Sequence, residues 1–95
     1  MFVILVNYVK PLEAIDALLP GHVAFLDRFF RQGVFLTSGR RVPRTGGIIL
    51  ARAESAEALQ TVLAEDPFQQ EGAALYEIVE FTPNKAAPGL EALLG

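Results

Sequence analysis

The sequence predicts one α+β domain in which four antiparallel strands form a single sheet and the helices cover one of its faces, in the order β-α-β-β-α-β. Three observations predict it. Four short apolar runs rich in β-branched and aromatic residues fall at 2–9, 34–40, 46–52 and 74–81. Stretches with apolar residues at helical spacing separate the first run from the second and the third from the fourth. The 95 residues are 52% hydrophobic and 20% charged, enough to bury about 60 to 65% of the unfolded surface in one core without a covalent staple.

FVILVNYV at 2–9 is a near-continuous apolar run and reads as a strand covered on both faces. LEAIDALL at 12–19 carries Leu12, Ile15 and Leu19 at helical spacing, but Pro20-Gly21 follows. A short helical turn is expected there, with Pro20 opening a longer helix over 20–32 and Gly33 supplying its left-handed exit. On that helix Val23, Phe25, Leu26, Phe29 and Phe30 share one side, with Ala24, Asp27, Arg28 and Arg31 opposite.

VFLTSGR at 34–40 and GGIILAR at 46–52 form a hairpin around the loop RVPRT. Ser55 is the expected N-cap of a helix that buries Ala58, Leu59, Val62 and Leu63 and ends at Asp66-Pro67. ALYEIVEF at 74–81 is the last strand, with Tyr76 and Ile78 on one side and Leu75, Val79 and Phe81 on the other. The tail from 82, TPNKAAPG and then a Leu-rich end, reads as a loose connection with a short helix.

This order is that of the ferredoxin-like arrangement, which leaves the second sheet face bare. Because strand 1 is apolar on both sides and strand 4 is apolar on its outer side, a homodimer packed sheet to sheet is expected.

Composition excludes several function classes. There is no cysteine, and the only histidine is His22. Thiolate nucleophiles and cysteine-based zinc sites are therefore out, and no metal or cofactor is expected. Eight basic against eleven acidic residues give a net charge of -3, the wrong sign for a phosphate-tracking surface, so no nucleic-acid partner is expected. The N-terminus lacks a basic leader, and polar Asn7 interrupts its apolar run too early for a membrane span. A cytoplasmic protein without a membrane partner is the expectation.

Two ionisable residues sit where apolar ones belong. Asp66 follows Leu63 by three, Val62 by four and Leu59 by seven, continuing their stripe; His22 falls among Phe25, Leu26 and Phe29. The element order brings the start of the first helix, the end of the second, and the ends of strands 1 and 2 to one edge of the sheet. His22, Asp66, Asn7, Tyr8, Ser38, Gly39 and Arg40 should therefore line one mouth.

Alternatives stand beside that expectation. Asp66 before Pro67 can simply end a helix by accepting backbone N–H bonds, and a lone histidine on an apolar face can be a satisfied core residue. Ser38-Gly39 can be only a strand entering a turn, and Arg40, Arg41 and Arg44 only a solvated basic loop.

The fragments GHVAFL at 21–26, FLTSGR at 35–40, TGGIILA at 45–51 and AEDPF at 64–68 together resemble the YCII-related family of small dimeric α+β barrel proteins. The resemblance covers essentially the whole chain as a single domain. It implies a ferredoxin-like protomer in a dimer and an active site on His22 and Asp66 with Ser38 nearby. Function in the family is mostly unassigned; the activity associated with it is lyase-like, removing chloride from a chlorinated hydroxyquinol. Arg40 stands where the family frequently has proline after Ser-Gly.

Three hypotheses follow. In the first, His22 exchanges a proton with a small acidic or phenolic substrate in an elimination or isomerisation, and Asp66 orients the imidazole. Ser38 and the Gly39 N–H then steady an oxyanion, Arg40 or Arg41 attracts the acidic group, and Tyr8 and Phe68 complete the ligand contacts. In the second, the same pocket binds a small ligand without chemistry. In the third, His22 and Asp66 are a sealed structural pair.

Overall fold

The computed structural model describes residues Met1–Gly95. Its elements are β1 (Phe2–Tyr8), α1 (Leu12–Arg31), β2 (Phe35–Arg40), β3 (Gly46–Ala51), α2 (Ala56–Leu63), α3 (Pro67–Gln70), β4 (Ala74–Glu80) and a 3-10 turn at Glu91–Leu94. The strands form one antiparallel sheet in the order β2-β3-β1-β4, the ferredoxin-like topology.

Alternation along each strand decides the two faces. Phe2, Ile4 and Val6 of β1 are buried beneath the helices, beside Ile49 and Ala51 of β3 and Ala74 of β4. Ile15, Phe25 and Phe29 of α1 and Leu59 and Leu63 of α2 close this core from above. Phe25, Phe29 and Phe35 pack with ring centroids 5.2 to 5.7 Å apart, and burying each such ring contributes about 1.5 to 3 kcal/mol. On the outer face Ile48, Leu75 and Val79 stay exposed.

The break expected at Pro20 does not occur: α1 is one helix of 20 residues with Pro20 inside it. A proline in a helix interior costs about 3 kcal/mol, since it removes one backbone hydrogen bond and crowds the preceding turn. The apolar spacing nevertheless runs through it. Ile15, Leu18, Leu19, His22, Phe25, Leu26 and Phe29 make one stripe, and burial along the whole stripe outweighs the local penalty. Val23, expected on the buried side, is 45% exposed at the edge of that stripe.

The exit of α1 is as its glycine indicates. Gly33 has φ +76°, Gly33 N–H donates to Phe30 O (3.1 Å) and Val34 N–H to Phe29 O (3.0 Å), the paired bonds of a left-handed helix stop.

The second helix also differs from expectation. α2 starts on its Ser55 cap, with Ser55 Oγ accepting from Ala58 N–H (3.1 Å), but ends at Leu63, and Asp66 opens a separate turn, α3, with Pro67 at its first position. Pro67 cannot continue a helix from behind but suits the start of a new one.

The tail lies away from the mouth predicted for the site: Arg52 donates to Ala92 O (2.8 Å), and Arg52 N–H bonds Val34 O at the opposite end of the sheet. No helix is long and apolar enough to cross a membrane.

Candidate functional site

Asp66 is the one charged residue in the core, with 0% of its surface exposed. A buried carboxylate is tolerable only when its lone pairs are used. Oδ1 accepts from Phe68 N–H (3.0 Å), which caps α3, and from His22 Nδ1 (2.9 Å); Oδ2 accepts from the Tyr76 hydroxyl. The two readings of Asp66 are thus both true at once, because the carboxylate that ends one helical segment and caps the next also holds the imidazole.

His22 reaches Asp66 because α1 and α3 pack closely. A Cβ placed on Gly21 would sit 3.1 Å from Pro67 Cγ, so the absence of a side chain at Gly21 lets the Pro67 turn press against α1 one residue before the histidine. The His22 ring also stacks on Phe68, centroids 4.0 Å apart and planes 8° from parallel. One face and one nitrogen of the ring are thereby fixed by neighbouring residues of the same short turn.

With both Asp66 oxygens already accepting, Nδ1 is the ring atom that carries the proton in neutral His22. Nε2 has no protein partner, no buried polar atom in the molecule lacks one, and the side chain is 12% exposed, so Nε2 meets solvent with its lone pair. A sealed structural pair required an imidazole with no solvent access, and the geometry is otherwise.

The opening in front of His22 is a cavity of about 200 Å³. Tyr8, Ser38, Gly39, Arg40 and Phe68 line it along with His22, as does an apolar wall that includes Leu26 and Ile49. Ser38 and Arg40 point to this side because they pair with Ile49 and Gly47 across the β2-β3 ladder, on the face that carries the core. Arg40 makes no ion pair, whereas Arg28 and Arg44 are paired with Glu65 and Asp16.

Two of the expected roles are corrected. Arg41 does not line the cavity; its guanidinium donates to Asn7 Oδ1 (2.6 Å), whereas Arg40 is among the lining residues. The Gly39 N–H is not an oxyanion donor. Arg41 N–H donates to Gly46 O, and the two-residue alternation of an antiparallel ladder directs the Gly39 N–H to Ile48. Gly39 is among the lining residues, beside Ser38 and Arg40.

Tyr76 is the partner of Asp66 that the sequence reading does not name. Its phenol is pushed well above the usual tyrosine range, first by burial and then by its hydrogen bond to Asp66. The signal was present: alternation along β4 puts Tyr76 on the helix-facing side, and a buried tyrosine hydroxyl needs a partner. No three His, Asp or Glu side chains cluster in a way that could hold a metal ion.

A ferredoxin-like sheet whose helices bring one imidazole and one buried carboxylate together under a small cavity is the class these features define. The chain belongs to the family of the YCII-related domain, whose model matches residues 1–82. Among solved structures it is similar to the 5-chloro-2-hydroxyhydroquinone dehydrochlorinase (TftG) from Burkholderia phenoliruptrix AC1100, solved in complex with 2,5-dihydroxybenzoquinone. That likeness has a TM-score of 0.71 at 17% identity over 85% of this chain and 93% of the other, and it establishes the shared fold. No curated protein sequence matches the chain.

Proposed function

We propose that the protein is a small-molecule enzyme in which His22 Nε2 accepts and returns a proton during an elimination or isomerisation of a small acidic or phenolic compound. The observation that carries this reading is the 2.9 Å bond from His22 Nδ1 to a fully buried Asp66, with the opposite ring nitrogen open to a cavity of about 200 Å³. Asp66 holds the ring in the tautomer that leaves Nε2 basic and stabilises the imidazolium formed when the proton arrives.

The electron pair left on the substrate expels a leaving group from a neighbouring carbon in an elimination, or collects the proton at another carbon in an isomerisation. Negative charge that builds on a substrate oxygen meets the Ser38 hydroxyl and the Arg40 guanidinium. Tyr8 and Phe68 supply flat apolar contacts suited to a ring. The solved relative is named a dehydrochlorinase and holds a dihydroxybenzoquinone, which is the same class of small oxygenated ring. A net charge of -3 favours a small ligand drawn by a local cation over a polyanion.

The bare outer sheet face supports a homodimer, two copies meeting through Ile48, Leu75 and Val79 and their neighbours. The test of the function is product analysis: chlorinated hydroxyquinols, other small phenols and small carboxylic acids are incubated with wild type and His22→Ala, following chloride release and product chromatography. Turnover by wild type that falls by about 10² to 10⁴ in His22→Ala is expected. A ligand that raises the melting temperature and is recovered unchanged would instead make the domain a binding module.

A further inference from the structure

We infer that Tyr76 is a positioning residue for His22: from β4 it holds the second oxygen of Asp66, and so fixes the carboxylate's orientation and moderates its pull on the imidazole. Tyr76 does not line the cavity in front of His22. It lines a separate hollow of about 280 Å³, with Gln60, Leu63, Gln69 and Ile78, on the β4 side of the sheet. The carboxylate is therefore shared by an imidazole that lines one opening and a tyrosine that lines the other.

The chemistry follows from sharing. A carboxylate has one negative charge for all its donors, and each strong donor on one oxygen reduces what the other oxygen offers. The Phe68 N–H and the His22 Nδ1–H both use Oδ1, so without Tyr76 the Oδ2 edge would have no donor, and the carboxylate could turn about its own bond. The other polar or titratable groups facing the imidazole, Tyr8 from β1 and Ser38 and Arg40 from β2, line the cavity and make no hydrogen bond to Asp66. Tyr76 alone can tune the pair from behind. The importance of this for turnover rests on the reading of His22 as the proton acceptor, whereas the bond itself can be tested without any substrate.

The test is NMR of the Nδ1–H proton in protein labelled with 15N-histidine, where the single histidine makes the assignment unambiguous. Tyr76→Phe removes the competing donor, so the His22–Asp66 bond strengthens and the Nδ1–H signal moves downfield. The opposite perturbation uses 3-fluorotyrosine incorporated in a Tyr8→Phe background, where Tyr76 is the one remaining tyrosine of the two. The more acidic phenol is the stronger donor, and the Nδ1–H signal moves upfield relative to unfluorinated Tyr8→Phe. Opposite shifts support the proposal; an unmoved signal, or shifts of the same sign, would overturn it. If Tyr76→Phe does not fold, the fluorotyrosine arm decides alone. Loss of the His22→Ala effect on turnover would refute the enzymatic reading and leave this bond standing.

Discussion

Replacing Asp66 tests whether its carboxylate is the hub that joins the helices to the sheet. Asp66→Ala removes the acceptor for three donors at once, the Phe68 N–H, His22 Nδ1 and the Tyr76 hydroxyl. Losing the cap of α3 costs about 1 kcal/mol. Each donor left unpaired in a buried site costs about 1 to 3 kcal/mol more, less where water can enter, as it can beside His22. The sum is about 3 to 6 kcal/mol. A domain of 95 residues has about 5 to 14 kcal/mol of stability in all, so Asp66→Ala should lose a large share of it. Asp66→Asn is milder, about 1 to 3 kcal/mol, because the amide oxygen can keep the Oδ1 contacts while its NH₂ donates to the Tyr76 oxygen, with the phenol reversing its role. Urea unfolding followed by circular dichroism measures both. At an m-value of about 1 kcal/mol/M the alanine variant should lose about 3 M or more in midpoint. A loss below about 1 kcal/mol in Asp66→Ala would refute the view that buried hydrogen bonds to this carboxylate hold the site together.

Other outcomes follow from the same geometry. Above pH ~10 the unfolded chain loses the Tyr76 proton while the folded protein keeps it, since the folded phenol is raised. The Tyr76 contribution is therefore complete below that pH and declines above it by about 1.4 kcal/mol per pH unit, so the alkaline stability of Tyr76→Phe should fall less steeply than that of wild type in urea titrations. Gly21→Ala gains about 1 kcal/mol of helix propensity but brings a Cβ to 3.1 Å of Pro67 Cγ. Its melting temperature should not rise, and a rise of about 4 °C or more would show that α3 yields freely. Leu75→Asp, at a position 65% exposed on the outer sheet face, should convert a dimer to a monomer by sedimentation velocity while leaving the fold intact; a wild type that is already monomeric would contradict the sheet-to-sheet assembly. Arg40→Ala should raise KM for an acidic substrate by about tenfold or more, with a smaller change for a neutral analogue.

Much of this arrangement was legible before any coordinates. Strand alternation and helix spacing are local signals, and topology brings the expected start of the first helix and end of the second to one sheet edge, which is why His22 and Asp66 could be named together, although α1 runs from Leu12 and His22 lies at its middle. Pro20 misled because its penalty is local whereas the burial that overrides it is spread from Ile15 to Phe29. Asp66 was read as the last member of the α2 stripe; it points inward for a different reason, as the cap of α3. Tyr76 escaped notice because its partner lies ten residues away on another element, and pairing between elements leaves no periodic trace. Arg40 and Arg41 could not be separated by composition, since only the register of β2 on β3 decides which of two neighbouring arginines faces the cavity.

The central claim is that Asp66 holds the neutral His22 ring with its proton on Nδ1 and its lone pair on Nε2, facing the cavity. The 15N chemical shifts of the two ring nitrogens, recorded on the neutral ring in protein labelled at its one histidine, test this directly. A protonated Nδ1 and an unprotonated Nε2 are expected, with the preference kept but weakened in Asp66→Asn, whose amide oxygen is a poorer acceptor than the carboxylate. A ring protonated on Nε2 in the wild-type protein would contradict the account.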